Sequence, residues 1–315
     1  MRRAIVTGAD GFLGRHLVQE LERRGVAVTA LARRKRPGAP ASMHPADWSA
    51  NIRQIIEATA PEVIFQLAGR VSGTPAELEQ ANLGTTRQVM TALRALGAAP
   101  LLVCCGSAAE YGAAISDGTP VDETALCVPA SLYGAMKLAQ TNAVLEFSAA
   151  TGVPVLVARI FNAIGPGMPA HLALGDFVQQ LVRLPPAGML LVGNLGVSRD
   201  FADVADIAGA LASLAQNPEA RGVVNICSGR PTRLQTLVDR LIAHSGRSVS
   251  IQPVAERMRP GELGVIVGST ARLGALGATL PPPAFDSIMA RIWRHAQATQ
   301  PTQTMQRAQP MAPPP

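Results

Sequence analysis

Tyr133 and Lys137 stand four residues apart in Tyr133-Gly134-Ala135-Met136-Lys137, a spacing that puts both on one face of a helix. A lysine ammonium beside a phenol favours the phenolate, so the pair is expected to pull the phenol below its ordinary value of about 10 and let it exchange a proton near neutral pH. Ser107, in Cys105-Gly106-Ser107-Ala108-Ala109-Glu110-Tyr111-Gly112, falls at the expected end of a strand, where its hydroxyl can hold a carbonyl oxygen against that tyrosine. A tyrosine four before a lysine is also common at a solvated helix start, and the spacing alone leaves that reading open.

A second centre of chemistry is Val6-Thr7-Gly8-Ala9-Asp10-Gly11-Phe12-Leu13-Gly14. An apolar run of strand character precedes it, and Leu13, Leu17, Val18 and Leu21 follow at helical spacing. Gly8, Gly11 and Gly14 therefore lie on a strand-to-helix turn, suited to close approach by a phosphate, with the helix N–H groups and dipole facing it. The end of the next strand, Leu31-Ala32-Arg33-Arg34, has no carboxylate for ribose hydroxyls and two guanidinium groups for a phosphate. That favours NADP over NAD.

The elements that position these groups alternate. Strands are expected at 3–6, 26–31, 63–68, 101–105 and 153–159, with helices at 12–23, 52–59, 77–96 and 131–151 between them. Such alternation implies an α/β fold of Rossmann-like type, a doubly wound parallel sheet with its site beyond the carboxyl ends of the strands. Past Phe161 glycine and proline become frequent, which suggests a smaller lobe. Helices at 204–215 and 234–245 and a strand at 223–227 follow. The expected division is a nucleotide-binding domain over 1–162, rejoined by the chain around 197–226, a substrate-binding lobe over 163–295, and a disordered tail over 296–315.

Composition narrows the class. The chain has 315 residues, 48% of them hydrophobic and only 3% aromatic, with a net charge of +6. The basic residues are dispersed and stacking aromatics are scarce, which argues against nucleic acid and for anionic small molecules. Cys104, Cys105, Cys127 and Cys227 show no metal-ligand spacing and read as reduced thiols, so no metal is expected. No run reaches the about 18 apolar residues of a membrane helix, and the chain is expected to be cytoplasmic and free of membrane.

Taken together, Gly8-x-x-Gly11-x-x-Gly14, Ser107, Tyr133 and Lys137 resemble the extended short-chain dehydrogenase/reductases of the NAD-dependent epimerase/dehydratase type. The resemblance implies a catalytic triad of Ser107, Tyr133 and Lys137. It implies cofactor contacts from Gly8, Gly11, Phe12, Leu13 and Gly14 at the glycine turn, from Asp47 and Trp48 where the family places an acidic residue against the adenine, from Leu67, Ala68 and Gly69 beside the ribose, and from Tyr133 and Lys137. Asn82 matches a helix-capping asparagine. Arg159-Ile160-Phe161-Asn162-x-x-Gly165-Pro166-Gly167, Val192-Gly193-Asn194-Leu195 and Ser198-Arg199-Asp200-Phe201 are similar to segments that frame a nucleotide sugar in reductases of GDP-4-keto-6-deoxymannose. Substrate contacts are accordingly expected from Ser107, Glu110, Asn162, Asn194, Arg199, Arg259 and Glu262. A homodimer through the helices at 77–96 and 131–151 is expected, since both present more apolar residues than one sheet face buries.

Departures from the pattern flank the sugar pocket: a shorter loop over 70–81, Leu132 before the tyrosine and Met136 before the lysine. The expected activity is NADPH-dependent reduction of a nucleotide-linked 4-keto-6-deoxyhexose. A nucleotide-sugar 4-epimerase with tightly held NAD(P) and a catalytically idle NADP-binding module are the alternatives. A sugar 4,6-dehydratase is not expected, because its acid would stand where Ala109 stands, and Glu110, one place on, would face the other way along a strand.

Overall fold

The computed structural model describes residues 1–32, 43–44, 48–115, 117–185, 187–258 and 264–299. Arg33, Arg34, Asp47, Arg259 and Glu262, singled out above, lie outside the described residues.

In the first half, β1 (Arg3–Thr7), α1 (Phe12–Arg23), β2 (Ala27–Leu31), β3 (Met43–His44), α2 (Trp48–Thr59) and β4 (Val63–Gln66) are followed by α3 (Pro75–Glu79), a π-helical turn (Gln80–Gly84) and α4 (Thr85–Leu96). Then come β5 (Leu101–Ser107), a 3-10 turn (Ala108–Glu110), α5 (Leu132–Thr151), β6 (Val155–Ile160) and β7 (Asn162–Ile164). The second half contains α6 (Ala173–Arg183), β8 (Ala187–Val192), β9 (Ser198–Asp203), α7 (Val204–Leu214), β10 (Gly222–Ile226), β11 (Pro231–Arg233) and α8 (Leu234–Ser245). It closes with β12 (Ser248–Pro253), β13 (Val265–Ile266), α9 (Ala271–Ala275) and α10 (Phe285–Ala298).

Among the described residues the main sheet has seven strands in the order β10-β6-β5-β4-β1-β2-β3, and every neighbouring pair is parallel. The direction of strand order reverses between β1 and β4, the switch point beyond whose carboxyl ends such sheets bind their ligands. Both faces are covered, as runs such as β6 with no exposed residue require. On one face α1 and α7 pack Leu17, Leu21, Ile207 and Leu211 against Val6, Phe65 and Leu156. On the other, α2, α4 and α5 pack Ile52, Val89, Leu93, Val144 and Phe147 against Ile5, Ile64 and Leu102. A separate core, with Phe177, Leu190, Val192, Leu237, Ile292 and Trp293, lies under α6, α8 and α10.

Several boundaries differ from the sequence reading. The helix expected from 77 begins at Pro75, because Thr74 caps it: its hydroxyl accepts the Glu77 N–H at 3.3 Å, and the Glu77 carboxylate accepts the Thr74 N–H at 2.9 Å. It is also interrupted by the π-helical turn. α2 starts at Trp48, and that indole, expected against the adenine, is 4% exposed and belongs to the core with Ile5, Leu31, Ile52 and Ile64. α10 runs to Ala298 and buries Ala296, the residue at which the tail was expected to begin.

Candidate active site

The turn after β1 is held by contacts that leave no room for side chains. Gly8 has φ +65°, and a Cβ there would lie 2.8 Å from the Ala68 nitrogen; a Cβ on Gly14 would lie 2.1 Å from the Gly8 carbonyl oxygen. Thr7 ties this turn to the end of β4, its hydroxyl oxygen accepting the N–H groups of Leu67 and Ala68 at 3.1 Å each. Gly11 precedes α1 with no side-chain cap, and the first turn carries no acid. Phe12 and Leu13 are half-buried and Gly14 is buried. An uncapped helix start with its dipole facing a glycine cradle fits the pyrophosphate of a dinucleotide. Gly69 is packed against Asn82, where a Cβ would lie 2.6 Å from Oδ1. Asn82 is not a cap: its Nδ2 donates to the carbonyls of Leu78 at 2.8 Å and Arg70 at 3.0 Å, pinning the loop after β4.

Beyond β5 the catalytic candidates converge. Ser131 caps α5, its hydroxyl accepting the Gly134 N–H at 3.0 Å. The first turn of α5 then presses on the 3-10 turn, where a Cβ on Gly134 would lie 2.4 Å from the Ala109 carbonyl oxygen. Glycine at this position brings Tyr133 to Ser107. The Ser107 oxygen accepts the Ala109 N–H at 3.2 Å, which leaves its hydroxyl hydrogen free to be donated. Tyr133 is half-buried and Lys137 is 4% exposed.

Burial pushes the Tyr133 phenol up, while the Lys137 ammonium and a hydrogen bond with Ser107 pull it down. In the protein without ligands burial wins, so the expected net lowering by lysine is corrected: the lysine acts in the expected direction but against a larger desolvation. Burial works against the Lys137 ammonium, yet Tyr133, Cys105, Cys104 and Glu110 outweigh it and hold the group above its ordinary value.

Glu110 is a correction. It does not continue the strand but ends the 3-10 turn, fully buried. Its Oε1 accepts the Ser107 N–H at 2.8 Å, and its Oε2 accepts from Thr141 Oγ1 and Arg159 Nε at 2.9 Å each. Both carboxylate oxygens are taken up by partners inside the protein. Strand alternation failed here because the chain leaves the strand at Ser107.

Of the other substrate candidates, Asn162, Asn194 and Arg199 lie among the described residues. Asn162 Nδ2 donates to the Asp200 carbonyl at 3.0 Å, which takes up one of the two hydrogens of an amide expected to serve a phosphate. Arg199 is half-buried, its Nη1 donating to the Ser198 carbonyl at 2.9 Å. Asp200 faces away from it, accepting from Ser228, Gly229 and Gly268. Asn194 is exposed and turns its Oδ1 to the Gly196 N–H at 3.0 Å. Gln140, which accepts from Lys137, and Thr86, which accepts from Gln140, were missed. The three-residue step from Lys137 to Gln140 was a readable signal, but nothing in the sequence pointed to Thr86.

A parallel sheet with this strand order, a glycine cradle on its first turn and a serine, tyrosine and lysine beyond β5 defines an NAD(P)-dependent enzyme of the Rossmann type. The model of the NAD dependent epimerase/dehydratase family matches residues 4–227, and the chain belongs to that family. It is similar to the GDP-6-deoxy-D-mannose reductase of Pseudomonas aeruginosa, 31% identical over 280 residues that cover 86% of this chain and 90% of that protein. It is also similar to the dTDP-6-deoxy-L-talose 4-dehydrogenase (NAD(P)(+)) of Kitasatospora kifunensis, 32% identical over 80% of this chain and 82% of the relative. Among solved structures, RMD from Pseudomonas aeruginosa complexed with NADPH superposes with a TM-score of 0.78 at 28% identity, covering 95% of this chain and 99% of that one. Among the described residues no helix is long and apolar enough to cross a membrane.

Proposed function

We propose that the protein reduces the 4-keto group of a nucleotide-linked 4-keto-6-deoxyhexose with NADPH. The observation that carries this is the convergence of Ser107, Tyr133 and Lys137 beyond β5, with a glycine cradle after β1, in a chain similar over most of its length to a GDP-6-deoxy-D-mannose reductase. A bound reduced nicotinamide supplies the hydride to the keto carbon. Tyr133 gives its phenolic proton to the oxygen as that oxygen gains charge. Ser107 donates a hydrogen bond to the same oxygen, an interaction strongest in the transition state. Lys137 stabilises the phenolate left behind and holds the nicotinamide ribose. Arg199, Arg259, Glu262, Asn162 and Asn194 are proposed on the substrate side, with the arginines on the diphosphate.

The test is to incubate the purified protein with NADPH and GDP-4-keto-6-deoxymannose. NADPH consumption matched by a sugar nucleotide two hydrogens heavier in the mass spectrum is the expected result, and Tyr133→Phe should bind both ligands without turnover. Interconversion of 4-hydroxyl epimers with no net NADPH consumption would replace this reading with a 4-epimerase, the second reading that the family supports. A dehydratase is disfavoured because Ala109 has no acid and Glu110 is bound to Arg159. We further propose a homodimer through α4 and α5, where Leu132 remains 43% exposed; a monomer by light scattering at micromolar concentration would refute it.

A further inference from the structure

A buried ammonium ordinarily takes a carboxylate partner. Lys137 does not. Its Nζ donates to Oε1 of Gln140 at 2.5 Å, and the Gln140 Nε2 donates to Thr86 Oγ1 on α4 at 2.7 Å. Thr86 in turn donates to the carbonyl of Asn82 in the π-helical turn at 2.8 Å. All three side chains are within 4% of complete burial.

The chain of donors has one consistent sense. A carbonyl can only accept, so the single Thr86 hydroxyl hydrogen goes to Asn82 and leaves its oxygen to accept. Gln140 must then present its NH2 to Thr86, and its oxygen to the lysine.

We propose that Gln140 is a positioning residue that holds Lys137 beside Tyr133 with a neutral acceptor, leaving the lysine charge uncancelled for the phenol, and that Thr86 fixes the sense of the Gln140 amide. The proposal rests on the reading of Tyr133 as the proton donor. The groups acting on Lys137 are Tyr133 on its own helix, Cys104 and Cys105 on β5, and Glu110 on the 3-10 turn. Those acting on Tyr133 are Lys137, Cys105, Ser107 and Glu110. Glu110 is the one carboxylate in both sets, and it is paired with Arg159. A carboxylate at position 140 would be a new anion in direct contact with the ammonium.

The test uses Gln140→Glu, Gln140→Met and Thr86→Val in the full chain. The protein has two tyrosines, and burial pushes Tyr111 up to about 12. The part of the phenolate absorbance that is lost in Tyr133→Phe belongs to Tyr133. Gln140→Glu is expected to move that titration, and the alkaline limb of kcat/KM for ketone reduction, upward by about one pH unit, a tenfold change in the proton equilibrium. Gln140→Met is expected to lower kcat about tenfold with KM for NADPH within about twofold, and Thr86→Val to lower kcat by about threefold, since it loosens the amide without removing it. A Gln140→Glu titration that overlays the wild type, or wild-type kcat in Gln140→Met, would overturn the proposal. Where either position-140 variant fails to fold, wild-type kcat in Thr86→Val overturns it instead. If the wild-type protein turns over no nucleotide sugar, the functional reading fails, and the phenol titration still decides the role of Gln140.

Discussion

Glu110 accepts the backbone N–H of Ser107 at 2.8 Å with a carboxylate that solvent does not reach. The same carboxylate is paired with Arg159, whose guanidinium lies 4.6 Å from the centre of the Tyr111 ring. Removing one partner leaves a buried charge uncompensated, and Glu110→Ala should destabilise the protein by about 3–5 kcal/mol in urea denaturation. Glu110→Gln, if it folds, should leave KM for the nucleotide sugar unchanged. A raised KM at unchanged stability would put Glu110 back in the sugar pocket.

At the cofactor turn, a methyl on Gly14 would meet the Gly8 carbonyl at 2.1 Å, and both are backbone positions that cannot swing aside. Gly14→Ala should cost about 1–3 kcal/mol of stability from overpacking and weaken NADPH binding as the cradle shifts. Thermal denaturation with and without NADPH checks both. A cofactor-induced rise in Tm equal to that of the wild type would show that the cradle tolerates the methyl.

Cofactor choice is expected to reside in Arg33 and Arg34, by their place after β2 and the missing acid. The double substitution Arg33→Ala, Arg34→Ala should reduce the NADPH/NADH preference in kcat/KM by about tenfold or more, the loss of a charge-assisted phosphate contact. An unchanged preference would rule out recognition of a 2′-phosphate there.

Arg199→Ala should raise KM for the nucleotide sugar about tenfold while KM for NADPH holds, if its fork binds the diphosphate equally in ground and transition states. Unaltered steady-state kinetics would assign Arg199 to contacts within the protein, such as that with the Ser198 carbonyl.

On α1, Arg23 and Arg24 hold the Glu20 carboxyl at about 2 against an ordinary 4.5, and Arg24 also reaches the Gly209 carbonyl of α7 at 3.1 Å. The folded value is the lower one, so this stabilisation is complete above about 4.5 and is lost as pH falls through about 2. Glu20→Gln should lower stability at neutral pH by less than about 1 kcal/mol, and the gap in Tm between variant and wild type should close across that window. A gap that persists at the acid end would mean packing, not charge, carries the effect.

Local spacing carried much of the reading. Gly8, Gly11 and Gly14 mark a strand-to-helix turn because no other residue permits the Gly8 conformation and the Gly14 approach together. Tyr133 and Lys137 fall on one face because both sit in one regular helix, whose period the sequence sets. The parallel sheet follows from alternating strands and helices, which the chain states residue by residue. What the folded assembly alone decided are the partners of buried polar groups. Glu110 meets Arg159 and Gln140 meets Thr86 across 49 and 54 residues, separations at which no periodicity links the two positions. Trp48 went into the core instead of toward a ligand because α2 began a turn earlier than its apolar pattern suggested. The balance on Tyr133 was likewise a tertiary matter: the attraction of a lysine four residues away is local, but the desolvation that exceeds it depends on everything that packs around the phenol.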